Sequence, residues 1–251
     1  MASPLRITRG GVLGSILVLL VAATCVRLGF WQLHRLKERR AYNAEVSARM
    51  HAAPVALAAV PGDTTGLSYR AAAARGTWDP DRSIVLAART FNGDPGVYLL
   101  TPLRLPDGGA VLVNRGFLPS PDAATVDIRP FLTPGAAEVR GLLVPMPIGR
   151  VPPTSGFRRT WYHLDPAALA RQLPYRIAPL LLQATPGAAT PARGASALPL
   201  RLSPPTLDEG PHLSYAIQWF SFATIGLIGW AVLLLRGERE KTAAPELPPR
   251  A

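Results

Sequence analysis

Histidine is the residue type in this chain that most directly suggests ligand chemistry. The four histidines, His34, His51, His163 and His212, are isolated from one another and form no HxH, HxxxH or HExxH pair. Such pairs are typical of zinc and copper sites, so we expect no multi-residue metal site of this kind. The sequence also lacks a GxSxG nucleophile elbow and a GxxxxGK(S/T) phosphate loop. We therefore assign no catalytic residues, although the absence of these motifs does not by itself exclude an enzyme.

His212 differs from the other histidines because it opens a long apolar segment, HLSYAIQWFSFATIGLIGW. On a helix its side chain falls near one line with aromatic and small residues, namely Trp219, Ala223, Gly226 and Trp230, with Tyr215 to the side. A neutral imidazole beside such an apolar wall can coordinate a porphyrin iron. Histidine and tyrosine are equally suited to a membrane interface without a ligand. The residues alone leave both interpretations open.

Two segments of the chain are long and apolar enough to cross a membrane. They cover residues 10–33 and 212–235, and about 20 helical residues span the hydrocarbon layer. A cleaved signal peptide is the alternative for the first segment. However, its apolar character continues through LGFWQL to Leu33, and no convincing small-x-small cleavage site follows. We therefore expect two transmembrane helices.

Two spans place both termini on one side of the membrane and residues 34–211 on the other. Arginine and lysine in the short ends, 1–9 and 236–251, favour cytoplasmic termini and a periplasmic central domain. The formal charge of +11 comes from dispersed Lys and Arg without a binding motif, so we expect no nucleic-acid partner. Membrane lipid with anionic headgroups is the simpler partner for these charges.

The central domain combines strand-like runs with one clear helix signal. The predicted strands are 83–88, 97–105, 110–118, 138–144 and 175–183. Pro-Asp-Gly-Gly at 106–109 has the turn chemistry of an antiparallel hairpin, and Asp165-Pro166 is a typical helix start. Proline, alanine and glycine dominate residues 184–211, which we expect to form an extended linker. The predicted fold is an α+β, mainly antiparallel-β extramembrane domain flanked by two transmembrane α-helices.

Five segments, taken in order, resemble the Surfeit locus protein 1 family, the Shy-type cytochrome c oxidase assembly proteins. They are GFWQLHRLK, RGTWDPDRSIVLAAR, GVYLLTPLRLPDGGAVLVNRGFLP, TWYHLDPAALA and HLSYAIQWF, and they cover about residues 29–220. The chain departs from the family at Phe117, where a tryptophan is common, and at 208–211, where Asp-Glu-Gly-Pro replaces an asparagine-rich lead. The resemblance implies a non-enzymatic respiratory-chain assembly chaperone with two spans around its outer domain.

The resemblance also implies a cofactor site and partners. The matching cofactor-binding residues are His212, Tyr215, Gln218, Trp219, Trp31 and Gln32, with His212 as the haem iron ligand. It implies that haem a is held transiently and inserted into cytochrome c oxidase subunit I, with haem a synthase as a further partner. No Arg- and Ser-rich targeting segment precedes the first span, which favours a multi-pass protein of the bacterial inner membrane.

Two alternatives belong to other functional classes. The chain could be a membrane scaffold that stabilises an oxidase assembly intermediate without binding haem. It could also be a membrane-anchored periplasmic enzyme with an unrecognised site in the β-rich domain. On physical grounds alone, Trp31 and Gln32 also fit an interfacial belt that sets the depth of the first helix.

Overall fold

The computed structural model describes residues 9–152, 154–185 and 198–243 of the 251-residue chain. It separates the chain into two compact units. The first unit comprises the described parts of 1–44 and 207–251, and the second comprises those of 45–206.

Two long helices dominate the first unit. Helix α1 covers Arg9–His51 and helix α3 covers His212–Ala243. Both are long and apolar enough to cross a membrane, over Gly11–His51 and His212–Arg236. Each continues as a helix beyond the apolar stretch expected from the sequence. Many of their large apolar side chains are exposed, as expected for surfaces that face lipid: Leu13, Leu17, Leu20, Ile225, Ile228 and Leu233.

The second unit is built around one mixed sheet, with eight strands in its described part. The strands are β1 (Val55–Leu57), β2 (Ala71–Trp78), β3 (Ile84–Phe91), β4 (Asp94–Arg104), β5 (Ala110–Pro119), β6 (Gly135–Pro145), β7 (Thr160–Trp161) and β8 (Ile177–Ala184). Their order is β1-β2-β6-β8-β5-β4-β3-β7, and a further pairing of β2 with β4 closes five strands into a ring. The pairs β1–β2, β3–β7 and β5–β8 are parallel and the others are antiparallel.

Glycine permits close approach of neighbouring strands at two places in this ring. A Cβ at Gly76 on β2 would overlap the carbonyl oxygen of Arg104 on β4. A Cβ at Gly141 on β6 would likewise overlap the carbonyl oxygen of Gln183 on β8. The ring therefore depends on the missing side chain at both positions.

Alternation along the strands divides the core into separate layers. Val111 and Val113 of β5 point into the ring, where they pack with Leu103, Leu143 and Leu182. Leu112 points to the other face of the sheet and packs in a cluster that includes Ile84, Leu100, Trp161, Leu164 and Leu169. Leu169 lies on helix α2 (Pro166–Gln172), so this helix covers the outer face of the sheet.

The structure confirms the predicted fold class, and the elements explain why. Strands β4 and β5 form the expected hairpin, with Arg104 opposite Ala110. Helix α2 begins as predicted, because Asp165 Oδ1 accepts hydrogen bonds from Ala167 N at 2.9 Å and Ala168 N at 3.2 Å. Strand β2 was not predicted, because its sequence AAAARGTW has little β-propensity. Its pairings with β1, β4 and β6 determine its conformation.

The expected linker over 184–211 is in part attached to the sheet. Ala184 is the last residue of β8, and Leu200 exchanges two backbone hydrogen bonds of 2.8 Å with Phe117 of β5. Residues 186–197 of this segment lie outside the described residues. The segment is therefore not an unattached linker, because the backbone of Leu200 is hydrogen bonded to Phe117 of strand β5.

Truncation of Leu112 should destabilise the second unit. Leu112 is fully buried, so Leu112→Ala should lower the free energy of unfolding by about 2–5 kcal/mol through lost burial and a residual cavity. Ile148→Ala is the matched control, since this side chain is 64% exposed and should change the value by less than about 0.5 kcal/mol. Urea unfolding of the full chain in detergent, followed by circular dichroism, measures both. Equal effects would contradict the assignment of Leu112 to the core.

Candidate functional site

The site is centred on a hydrogen bond between the two long helices. Nδ1 of His212, the first residue of α3, lies 2.9 Å from Oε1 of Gln32 on α1. An amide oxygen only accepts hydrogen bonds, so Nδ1 must carry the proton and donate it. In a neutral ring Nε2 is then unprotonated and keeps a free lone pair. This is the form of imidazole that coordinates a metal, with its tautomer fixed by the partner of the other nitrogen.

The segment that leads into α3 is tied to α1 by a group of polar contacts that we call the clamp. Nε and Nη2 of Arg40 donate to the two carboxylate oxygens of Glu209 at 2.7 and 2.8 Å. Arg39 Nε and Asn43 Nδ2 donate to the backbone oxygen of Asp208 at 3.1 and 2.8 Å. The clamp therefore consists of Arg39, Arg40 and Asn43 on α1 with Asp208 and Glu209. It fixes the backbone immediately before His212.

The clamp also affects the charge state of Glu209. The hydrogen bonds from Arg40 hold the pKa of the Glu209 carboxyl below its ordinary value of 4.5, and their charge attraction acts in the same direction. Arg39 makes a looser ion pair with Asp208, at 3.7 Å. Because both acidic side chains are largely exposed, the bidentate geometry of Arg40 is the specific part of the clamp.

Small residues bring α1 and α3 into close contact beyond His212. Trp219 packs against Ala22, Cys25 and Ala223. Near the clamp end, a Cβ at Gly29 would lie 2.6 Å from the ring of Phe220, so this position needs glycine. Small residues of this kind let transmembrane helices approach closely enough for van der Waals packing.

Aromatic and polar contacts complete the pairing at both ends of the spans. The rings of Phe30 and Phe220 meet edge to face, with centroids 5.4 Å apart. At the far end, Trp230 Nε1 donates to Ser15 Oγ at 2.9 Å. A Cβ at Gly14 would overlap the Trp230 indole. The two helices are therefore antiparallel, and their register is defined by contacts at three levels.

The six residues expected to bind a cofactor fall into two groups. His212 and Gln32 are hydrogen bonded, and Trp219 lies deeper in the same helix pairing. Trp31, Tyr215 and Gln218 have exposed side chains on the outer surfaces of the two helices. In the described residues no hydrogen bond or ring contact joins these three to His212 or Gln32. A ligand that contacts them must therefore lie against the outside of the helix pair.

Two other positions highlighted by the sequence lie outside the contacts around His212. Gly226 was expected on the line that includes His212, but a Cβ there would face open space, whereas Ala223 is buried. Phe117, which replaces a common tryptophan, is buried in the sheet and packs against Phe91 and Tyr98. The substitution at this position is therefore a change within the domain core.

Sequence reasoning did not identify the clamp or Phe220. The clue to the clamp was the adjacent bases Arg39-Arg40 after the first span and the adjacent acids Asp208-Glu209 before the second. In an antiparallel pair of helices these charges face each other. Gly29 and Phe220 offered a weaker clue, a small residue opposite a large one, because the helix register was unknown. The described residues contain no cluster of three His, Cys, Asp or Glu side chains that could hold a metal ion.

Comparison with known proteins adds a family match that includes both halves of the site. The model of the SURF1 family matches residues 19–224. A SURF1-like protein of Monosiga brevicollis is 32% identical over 237 residues, which cover 89% of this chain and 88% of that protein. Surfeit locus protein 1 of Homo sapiens is 27% identical over 241 residues, covering 88% and 77%. A SURF1-like protein of Rickettsia felis is 25% identical over 217 residues, covering 83% and 91%.

The first prediction from this site concerns the tautomer of His212. In the neutral ring we expect Nδ1 to be protonated and Nε2 unprotonated, because Gln32 Oε1 only accepts. Gln32→Leu removes a hydrogen bond of about 1 kcal/mol and should shift the tautomer ratio about fivefold. Nitrogen NMR of histidine-labelled protein at alkaline pH measures the ratio, with His212→Ala to assign the signal. Gln218→Leu, an exposed matched change on α3, should leave it unaltered; a shift of equal size there would refute the assignment.

The second prediction concerns the pH range of the clamp. Since the folded-state pKa of Glu209 is lowered, its contribution to stability is fully present above about pH 4.5 and is lost as the pH falls through the lower, folded-state value. A carbon NMR titration of the Glu209 carboxyl should show this lowered pKa. Arg40→Gln should return it towards 4.5. Arg35→Gln removes an equal charge that is paired with Glu38 and should have no effect on Glu209.

Proposed function

This chain belongs to the SURF1 family, and on that premise we propose that it is a cytochrome c oxidase assembly factor that holds haem a and delivers it to subunit I. The observation that carries the proposal is the hydrogen bond between His212 Nδ1 and Gln32 Oε1. When the ring is neutral, this bond leaves Nε2 unprotonated at the start of a membrane-spanning helix. The family resemblance supports haem a as the cargo, and the geometry supports His212 as the ligand of its iron.

The residues around His212 suit a large, flat and mostly apolar cargo. Trp31 immediately precedes Gln32 on α1, and Tyr215 lies about one helical turn after His212 on α3. Both side chains are about half exposed, 52% for Trp31 and 47% for Tyr215. Exposed aromatic surface at this level of the two helices is available to contact a porphyrin from the outside of the helix pair. Trp219 supports the site from within the helix pairing.

A single protein ligand fits a carrier better than a permanent holder. The described residues contain no group of three or more His, Cys, Asp or Glu side chains that could hold a metal ion, and His212 is the one iron ligand in this proposal. One coordinate bond gives specificity for the iron, whereas a second would slow release. In this proposal the chain positions and protects its cargo, and it catalyses no reaction.

The two candidate spans support a placement in the membrane. We assign the chain to a bacterial inner membrane as a multi-pass protein, with both termini cytoplasmic and the second unit periplasmic. Two helices of sufficient length and apolarity support the spans, and the basic residues of the short ends support the orientation. Subunit I is the proposed acceptor and haem a synthase the proposed donor.

The proposal is tested by the haem content of the purified protein. The chain is expressed in cells that make haem a, purified in detergent, and examined by visible absorption spectroscopy. His212→Ala should abolish the bound haem a spectrum. Gln32→Leu should weaken haem a binding about tenfold or more, because the His212 ring loses the hydrogen bond that fixes its tautomer and orientation. His34→Ala is the matched control, since this exposed histidine of α1 pairs only with Glu38 among described carboxylates.

The scaffold alternative predicts the opposite pattern in the same experiment. If the chain only stabilises an intermediate, subunit I should copurify without haem a. In that case Ala223→Leu, which disrupts the helix pairing, should reduce oxidase assembly more than His212→Ala does. Gly226→Leu is the control for adding a large side chain to α3, because the new side chain would face open space and leave the helix pairing intact. A wild-type protein without haem a would overturn the haem-carrier proposal.

A further inference from the structure

The second unit contains a cleft lined by arginine side chains that are not used by the proposed haem site. The cleft has a volume of about 380 Å³ and lies beside helix α2. Three arginines line it, namely Arg82, Arg158 and Arg171. They come from three separate segments, so the fold, and no local run of basic residues, brings them together. None of the described residues that line this cleft is acidic.

Neutral groups hold two of these guanidinium groups in place. Arg82 lies over the ring of Phe157, 5.4 Å from its centroid, and Nη1 donates to Gln172 O at 3.4 Å. Arg158 lies over the ring of Trp161 at 5.4 Å, and Nη2 donates to Pro152 O at 2.6 Å. Carbonyl oxygens and aromatic faces orient a guanidinium while its positive charge remains uncompensated. The cleft is therefore preorganised as well as positive.

Side-chain hydrogen bonds also hold the backbone of Arg158. Gln172 accepts from Arg158 N at 2.9 Å and donates to Arg158 O at 3.0 Å, which attaches the Arg158 backbone to the end of α2. Trp161 is buried and donates from Nε1 to the same Arg158 oxygen at 2.8 Å. Two side chains thus converge on one peptide group. Arg158 is fixed at both its backbone and its guanidinium.

Carboxylates do not neutralise the cleft. Across the described chain, Arg82, Arg158 and Arg171 form no ion pair with an acidic side chain. Asp165 caps α2, and Asp79 accepts from the hydroxyl of Tyr175 at 3.0 Å. Asp81 precedes Arg82 in the chain, but its side chain is exposed and forms no ion pair with Arg82. The half-buried Arg82 and Arg158 and the exposed Arg171 therefore lack a carboxylate partner within the described chain, so a bound anion would be their counter-charge.

We propose that this cleft is a binding site for a phosphate group. Each guanidinium offers several N–H donors in a planar fork, which matches tetrahedral phosphate oxygens. A phosphate with close to two negative charges compensates more of the three positive charges than a single carboxylate does. The compact, concave shape favours one such group over an extended acidic segment. The source of the phosphate is a soluble phosphate ester or the headgroup of an anionic lipid.

Binding is measured on the full chain in neutral detergent with inorganic phosphate as the probe. Isothermal titration calorimetry should show saturable binding at constant ionic strength, with chloride as the reference anion. Arg171→Gln should weaken it about tenfold, because it removes one charge-assisted donor. Arg171 is exposed and forms no hydrogen bond or ion pair with the described residues, so this variant should fold normally. Arg158→Gln should weaken binding similarly, with circular dichroism to check its folding.

The matched control is Arg75→Gln, which removes an equal charge on strand β2 outside the cleft. Arg75 pairs with Glu138, and its loss should leave phosphate binding unchanged. Equal weakening by Arg75→Gln and Arg171→Gln would show that only net charge attracts phosphate and would overturn the site. Absence of saturable binding by the wild type would also overturn it.

Two further ligands distinguish the source and the class of the anion. Glycerol 3-phosphate and a short-chain, water-soluble phosphatidic acid are compared in the same titration. Equal affinity supports a soluble ester, and tighter binding of the lipid that still depends on Arg171 supports a lipid headgroup. A short peptide of aspartate and glutamate that binds more tightly than either would overturn the phosphate proposal in favour of an acidic protein partner. Haem content is unaffected by these variants if the cleft is independent of the haem site.

Discussion

The close approach of α1 and α3 is the constraint on which the proposed site depends. Lipid is as apolar as the helix surfaces, so burial of leucine and isoleucine gives these helices little reason to associate. Their contact depends on Gly29 opposite Phe220, on the small residues around Trp219, and on the hydrogen bond of Trp230 to Ser15. This register places Gln32 opposite His212. A side chain at Gly29 would push the two helices apart at Phe220 and so separate Gln32 from His212, although neither of these two residues would have been changed.

The clamp adds directional contacts where packing alone leaves freedom. Packing of small and aromatic residues fixes how close two helices lie, but it tolerates small changes in rotation. The bidentate pair of Arg40 with Glu209 and the bonds to the Asp208 carbonyl restrict the backbone just before α3. Each exposed ion pair contributes little to stability by itself. The importance of the clamp lies in orientation, since His212 follows Glu209 after only two residues.

Much of the fold could be predicted from the sequence, because its strongest signals are local. The two apolar segments, the Pro-Asp-Gly-Gly hairpin and the Asp165 cap depend on neighbours along the chain, and the structure has all three. Strand β2 could not be predicted, because its alanine-rich sequence acquires strand geometry from pairing with distant segments. The attachment of Leu200 to Phe117 is non-local for the same reason.

The site shows the same division between local and non-local information. His212 could be identified by its position at the start of a span, but its partner Gln32 was suggested only by the family resemblance. The contact of these two residues depends on the helix register, which no short segment encodes. The outward positions of Trp31, Tyr215 and Gln218 also depend on which face of each helix is covered. Sequence patterns therefore identified side chains with suitable chemistry, and tertiary packing determined which of them meet.

The arginines show how the partners of a charge determine its role. Arg40 meets the carboxylate of Glu209, so its charge is satisfied within the chain and the contact is structural. Arg82 and Arg158 instead meet carbonyl oxygens and aromatic rings, which fix their positions without neutralising them. The net charge of +11 does not distinguish these cases. An arginine of the second kind keeps its attraction for an external anion, because no carboxylate of the chain neutralises it.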